Sequence, residues 1–284
     1  MVTVNDYKGI ESTWCPGCGD FGILSAVKSA LVELGLEPHQ VLMVSGIGQS
    51  GKLPHYMKCN TFNSLHGRPV PPAVAAKTAN PKLTVISVSG DGDGYGEGGN
   101  HFIHAMRRNH DITYLVHNNQ VYGLTKGQAS PTSDAGFVTK TTPHGAPSPV
   151  SPLALAIVTG AAFVARGYAG DVKHLSGLIK EGITSKGFSL VDILQPCVSF
   201  NHKNTYEWYR ERVYKLDDEK GYDPSDKIAA LEKAMEWGDR IPTGILYRQE
   251  RPTFEEQFPV LAGGTLVEQE IDPGSMERLL DELL

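Results

Sequence analysis

This 284-residue sequence predicts a doubly wound α/β fold with a mostly parallel sheet, on three observations. The runs "KLTVISVSG" at 82–90 and "DITYLVHNN" at 111–119 are almost continuously apolar, as strands buried on both faces of a parallel sheet are. Between them, "GGNHFIHAMRRN" sets Phe102, Ile103 and Met106 at helical spacing. Strand, helix and strand together occupy about 35 residues, the length of a βαβ unit.

The remaining elements extend the alternation in chain order. "SALVELGLEPHQVLMVSGIGQSGK" reads as helix, turn and a short strand from Val41 to Val44 that ends at Ser45 and Gly46. Residues 129–151, "ASPTSDAGFVTKTTPHGAPSPVS", have no period and are rich in Ser, Thr, Pro and Gly, which suits a long ordered loop beside a ligand. "SPLALAIVTGAAFVARG" predicts a helix, "VKHLSGLIKEGIT" an amphipathic helix and "FSLVDILQPC" a strand. From residue 201 aromatics and charges mix in short elements. The expected division is therefore an α/β domain over 1–200 and a C-terminal extension over 201–284, lying on the core or on a partner.

Composition removes several function classes. With 40% hydrophobic residues the chain can bury a sizeable core and is not a disordered protein. A formal net charge of -6 and no Lys/Arg run argue against a nucleic-acid surface. The most apolar long window, "PLALAIVTGAAFVARGYAG", carries Arg166 and several Gly and Ala and suits a packed helix, so no membrane span is expected. "MVTVNDYKGIEST" has no basic region leading into an apolar run, which leads us to expect a cytoplasmic protein. In that reducing compartment the four cysteines, Cys15, Cys18, Cys59 and Cys197, are expected to be free, catalytic or metal-bound, and the CxxC pair favours ligation.

"SVSGDGDGYGEGG" at 87–99 puts carboxylates into a glycine loop shaped for phosphate. Gly94, Gly96 and Gly99 satisfy GxGxxG, but the next strand ends in Asn118 and Asn119 rather than in a ribose-binding acid. An EF-hand loop starting at Asp91 would need an acid where Phe102 stands. A third reading joins Asp91, at one strand tip, to Asn119, at the next. Both tips lie on the carboxyl edge of a parallel sheet, where a carboxylate, an amide oxygen and a backbone carbonyl can hold Mg²⁺ against a diphosphate. Glycine amides and the helix N-terminus would hold the same phosphates. A glycine turn with solvated acids remains the plain alternative.

"GDGDGYGEGG" followed by "HNNQVYGLTKGQ", with "TWCPGCGDFGI" ahead of them and "VSGIG" and "LHGR" between, resembles the β subunit of 2-oxoacid:ferredoxin oxidoreductases from about Trp14 to Cys197. The resemblance implies the thiamine-diphosphate-binding type of α/β fold. It assigns Mg²⁺ to Asp91, Asn119 and the Val121 carbonyl. Gly90 and Gly92 would line the diphosphate, and Gly46, Ile47, Gly48, His66 and Leu124 would lie near the cofactor. His66 is the implied catalytic histidine, against a structural role in its loop. Lys126 could meet a substrate carboxylate or a coenzyme A phosphate, against a solvated loop lysine.

The family's β subunit also holds a 4Fe-4S cluster. Cys15, Cys18 and Cys197 match three of its ligands, while Gln49 stands where many relatives have the remaining cysteine. Cys59 is the only thiol left and is expected to take that role. A cluster with three thiolates and another ligand, a lost cluster with Cys59 merely buried, or structural zinc are the competing readings.

The activity implied is thiamine-dependent oxidative decarboxylation of a 2-oxoacid to acyl-CoA and CO₂, reversible, with electrons leaving to ferredoxin. 2-Oxoglutarate is favoured and pyruvate possible. The implied partner is an α subunit, or a fused γ-α chain, in an αβ heterodimer or its dimer. The alternatives are a non-oxidative 2-oxoacid decarboxylase subunit and a non-catalytic iron-sulfur subunit.

Overall fold

A computed structural model describes residues 1–262, 264–270 and 272–283. Its frame is one eight-stranded sheet. In chain order the strands are β1 (Val41–Ser45), β2 (Asn60–Asn63), β3 (Thr84–Gly90), β4 (Thr113–Asn118), a small hairpin β5 (Val121–Tyr122) and β6 (Gln128–Ala129), β7 (Phe163–Tyr168), β8 (Ser189–Leu194), β9 (Val213–Lys215) and β10 (Ile241–Arg248). The hairpin stands apart, and the main sheet runs β2-β1-β3-β4-β8-β7-β10-β9. The six strands from β2 to β7 in that order are mutually parallel. β10 then runs antiparallel to β7.

Side chains alternate across each strand, so every central strand serves two cores. Ile86, Val88, Leu115, Val191 and Ile193 face α1 (Asp20–Glu33), which packs with the later helix Val172–Thr184 on that side. Val85, Tyr114, Val116 and Leu190 face the opposite core, beneath the helices α2 (Val70–Ala79), α3 (Gly99–Arg108), α4 (Pro152–Thr159) and Lys227–Met235. The helix at 172–184 is α5. Phe102, Ala105 and Met106 form the buried stripe of α3, each large side chain contributing about 1.5–3 kcal/mol by leaving water. Among the described residues no helix is long and apolar enough to cross a membrane.

Two expectations need correction. The helix predicted over 151–167 stops at Thr159, because Gly160 takes a left-handed conformation (φ 86°) that caps it, and Phe163–Tyr168 continues as β7. The segment from residue 201 is not an appendage on the surface. It supplies β9 and β10 to the same sheet, with Gly244 opposite Arg166 and Phe163 opposite Arg248. The apolar character of "IPTGILYR" is interrupted by Pro242 and Gly244, which concealed a strand whose first residues are nevertheless buried.

Candidate active site

The carboxyl ends of β1, β3 and β4 meet at one cleft. Ile47, Gly48, Gln49 and Ser50 enter it after β1, His66 from the next loop, Gly90 to Asp93 after β3, and Asn119 and Val121 after β4. Expected residues Ile47, Gly48, His66, Gly90, Asp91, Gly92, Asn119, Val121 and Leu124 all line it. Gly46 sits just behind the wall. Lys126 does not line it: it occupies an exposed turn between β5 and β6 with φ 78°.

The stretch after β3 is helical rather than a loop. Gly92–Glu97 forms one wide π-helical turn that runs through Gly98 into α3. Such turns are uncommon and recur at functional sites. A Cβ on Gly92 would lie 2.4 Å from the Tyr122 ring, so only glycine lets that ring close over the turn.

Asp91 is 1% exposed, and its carboxylate accepts from Ser130 Oγ at 2.5 Å, Thr132 Oγ1 at 2.6 Å and the Asn119 amide N–H at 3.3 Å. Burial pushes its pKa up to about 6, against the lowering effect of those donors. Asn119 Oδ1 accepts the Val121 N–H at 3.1 Å, and Gln120 between them has φ 62°, which folds Asn119 and Val121 onto the same side as Asp91. A carboxylate, an amide oxygen and a carbonyl are thus gathered as hard oxygen donors, and the donor set fits Mg²⁺. A divalent cation also offsets the cost of a buried carboxylate.

Asp93 was missed by the sequence reading. It is 3% exposed and ties the cleft together: Oδ1 accepts from Ile47 N–H at 3.0 Å and Gly67 N–H at 2.7 Å and lies 2.7 Å from His66 Nδ1, while Oδ2 accepts from Ser89 Oγ at 2.6 Å. With Nδ1 committed, Nε2 is the nitrogen that His66 can offer to a ligand. Ser130 and Thr132 were also missed, hidden in the aperiodic loop at 129–151. The only signals available were the second carboxylate of "GDGD" and the hydroxyl-rich "SPTS".

A second corner lies beside the cleft. The CxxC segment opens α1, and Gly19 N–H donates to Pro196 O at 3.2 Å, so Cys15 and Cys18 stand next to the chain leaving β8. Ser199 Oγ donates to Cys15 Sγ at 3.1 Å, and Gln195 Nε2 to Cys18 Sγ at 3.3 Å. Backbone N–H groups of Ser199, Phe200 and Asn201 point at Cys197. A buried pair pins the corner to β4: Asp20 Oδ1 lies 2.6 Å from His117 Nδ1.

Cys59 is not brought to the other three, which corrects the expected ligand set. It precedes Asn60, which pairs with Leu42 near the start of β1, and it neighbours Tyr7 at the amino end of the sheet. The four steps from Val41 to Ser45 alone rise about 13 Å, so Cys59 and the cysteine corner occupy opposite ends of the sheet. The corner therefore fits three ligands of a four-iron cluster and lacks a fourth thiol. Among the described residues no group of three or more His, Cys, Asp or Glu side chains is close enough to hold a single metal ion.

Comparison with known proteins finds relatives over most of the chain. Residues 40–193 match the family described as thiamine pyrophosphate enzyme, C-terminal TPP binding domain, and residues 197–263 match the C-terminal family of the pyruvate ferredoxin oxidoreductase beta subunit. A 2-oxoacid:ferredoxin oxidoreductase subunit beta of Saccharolobus solfataricus is 52% identical over 256 residues, covering 86% of this chain and 84% of its own. The 2-oxoglutarate oxidoreductase subunit KorB of Mycobacterium tuberculosis is 45% identical, covering 72% of this chain and 57% of its own. A solved 2-oxoglutarate:ferredoxin oxidoreductase from Magnetococcus marinus, with 2-oxoglutarate, coenzyme A and succinyl-CoA bound, superposes with a TM-score of 0.91 at 38% identity over 98% of this chain and 96% of that one.

Proposed function

The chain belongs to the family of 2-oxoacid:ferredoxin oxidoreductase β subunits, and we propose that its cleft binds thiamine diphosphate through Mg²⁺ and acts on 2-oxoglutarate in preference to pyruvate. The observation that carries this reading is the union of Asp91 with the Asn119–Val121 turn across adjacent parallel strand tips. Thiamine diphosphate supplies the electron sink that makes loss of CO₂ from a 2-oxoacid possible.

The chain's own residues supply binding and orientation. Asp91, Asn119 and the Val121 carbonyl hold the metal, with Ser130 and Thr132 fixing the carboxylate. Free N–H groups at the start of the Gly92–Glu97 turn take the diphosphate oxygens. Ile47 and Gly48 form the opposite wall, with Gly46 behind it, and Leu124 gives it an apolar edge. His66, held by Asp93, presents Nε2 to a substrate oxygen and can give or take a proton there. Lys126, outside the cleft, serves an anionic group of coenzyme A or substrate arriving from the partner side. The aminopyrimidine end of the cofactor is left to an α subunit or fused γ-α chain, and the electrons go to a cytoplasmic ferredoxin.

The test is anaerobic purification with the co-expressed α subunit, thiamine and magnesium analysis, and CoA-dependent acceptor reduction with 2-oxoglutarate and pyruvate. Asp91→Ala should remove both cofactor and turnover. Retention of either by that variant would defeat the metal assignment, and equal kcat/KM for the two acids would defeat the substrate preference.

A further inference from the structure

We infer that Cys15, Cys18 and Cys197 form a three-thiolate iron-sulfur site in which one iron has no cysteine of this chain, and that Gln49 stands at that open position. This rests on the oxidoreductase reading above.

Position in the sheet separates ligands from bystander, and the donors around the sulfurs follow the same division. Cys15 and Cys18 each receive a hydrogen bond, from Ser199 and Gln195, and Cys197 faces three backbone N–H groups. Hydrogen bonds to cluster sulfurs are among the contacts that tune an iron-sulfur site, and all three of these sulfurs have such donors beside them. Among the described residues no hydrogen bond reaches the sulfur of Cys59. That residue packs beside Tyr7 where β2 begins, at the far end of the sheet from the other three.

Gln49 has the right position and the wrong chemistry. Its carbonyl accepts the Trp14 indole N–H at 2.9 Å, which ties residue 49 to the residue before Cys15, and it also lines the cofactor cleft. It stands between cleft and corner. An amide is a hard, neutral group that competes poorly with thiolate for iron bound by sulfide. The fourth iron is therefore held by inorganic sulfide without a protein thiolate, and it is the one that exchanges or is lost. Its release balances as [4Fe-4S]²⁺ going to [3Fe-4S]⁺ plus Fe²⁺ plus one electron, the electron being taken by an added one-electron oxidant.

The experiment compares the αβ complex of the natural chain with Gln49→Cys and Cys59→Ser complexes, all purified anaerobically. Each is treated with ferricyanide and EDTA, and iron, sulfide, thiamine and the electron paramagnetic resonance spectrum are measured. The natural chain should lose about one iron in four with sulfide retained, develop a three-iron signal and regain the iron from Fe²⁺ and reductant. Gln49→Cys should keep all four irons, and Cys59→Ser should behave as the natural chain does. Iron and sulfide lost on purification of Cys59→Ser, a natural cluster that resists oxidation, or zinc in place of iron would each overturn the inference. Thiamine content reports separately: the expected iron behaviour without bound thiamine diphosphate would support the inference and sink the functional reading.

Discussion

His66 Nδ1 lies 2.7 Å from Asp93 Oδ1, and the same buried carboxylate holds the N–H groups of Ile47 and Gly67 and the hydroxyl of Ser89. One side chain thus fixes the tautomer of the histidine and the position of two cleft walls. Asp93→Asn removes the charge from all four contacts, and hydrogen bonds to charged groups contribute about 1.5–3 kcal/mol each. The variant should lose several kcal/mol of stability and bind thiamine diphosphate at least about tenfold more weakly. His66→Ala should instead lower kcat while leaving cofactor affinity near normal. Urea denaturation and cofactor titration separate the two, and equal effects from both variants would mean that the two residues share a single role.

Gly46 leans on the same carboxylate. A Cβ there would lie 1.8 Å from Asp93 Oδ2, so Gly46→Ala must push either the turn or the carboxylate out of place. A loss of about 1–3 kcal/mol is expected, with weakened cofactor binding. Gly177→Ala is the control: it lies in α5 with open space around it, and a gain of about 0.5–1 kcal/mol should follow. Thermal denaturation of the pair checks both signs.

The metal role proposed for Asp91 would couple cofactor binding to pH. Burial raises its carboxyl from 3.8 to about 6. A carboxyl raised in the folded state holds a proton that the unfolded chain has released, so the metal-free protein loses stability as pH rises from about 4 to 6, by about 3 kcal/mol, and is level above. In the proposed site, binding of Mg²⁺ to Asp91 would displace that proton. Calorimetric titration of magnesium and thiamine diphosphate in buffers of different ionisation enthalpy should show release approaching one proton at about pH 5 and none from Asp91 at about pH 8. Asp91→Asn should abolish the difference.

Glu255 should govern the acid limb of stability. It is 6% exposed, lies 3.2 Å from His110 Nδ1 and accepts the Asp111 N–H at 3.2 Å. Burial raises its pKa, but His110 and nearby backbone N–H groups outweigh that and hold it below the ordinary 4.5. A depressed carboxyl contributes stability that is present above its unfolded value and lost as pH falls through the folded one. Glu255→Gln should cost about 1–3 kcal/mol at neutral pH, and the gap from the natural chain should close below about pH 4. A gap that stayed constant to low pH would mean the contact does not titrate.

Much of this protein is legible in one dimension because its information is local. Continuous apolar runs announced β3, β4 and β8, and the motifs carrying Asp91, Asn119 and the CxxC pair announced the cleft and the cysteine corner, since each motif places its residues at a strand tip or a helix start within a few positions. Other features depend on separations that spacing cannot measure. Asp93 differs from Asp91 in the direction its side chain takes from a π-helical turn, over which Tyr122, about thirty residues on, closes at Gly92. Cys59 is ten residues from Gln49 in sequence, yet the parallel pairing of β1 and β2 carries it to the other end of the sheet. Counting cysteines supplied four thiols, but strand direction decided that only three share a corner.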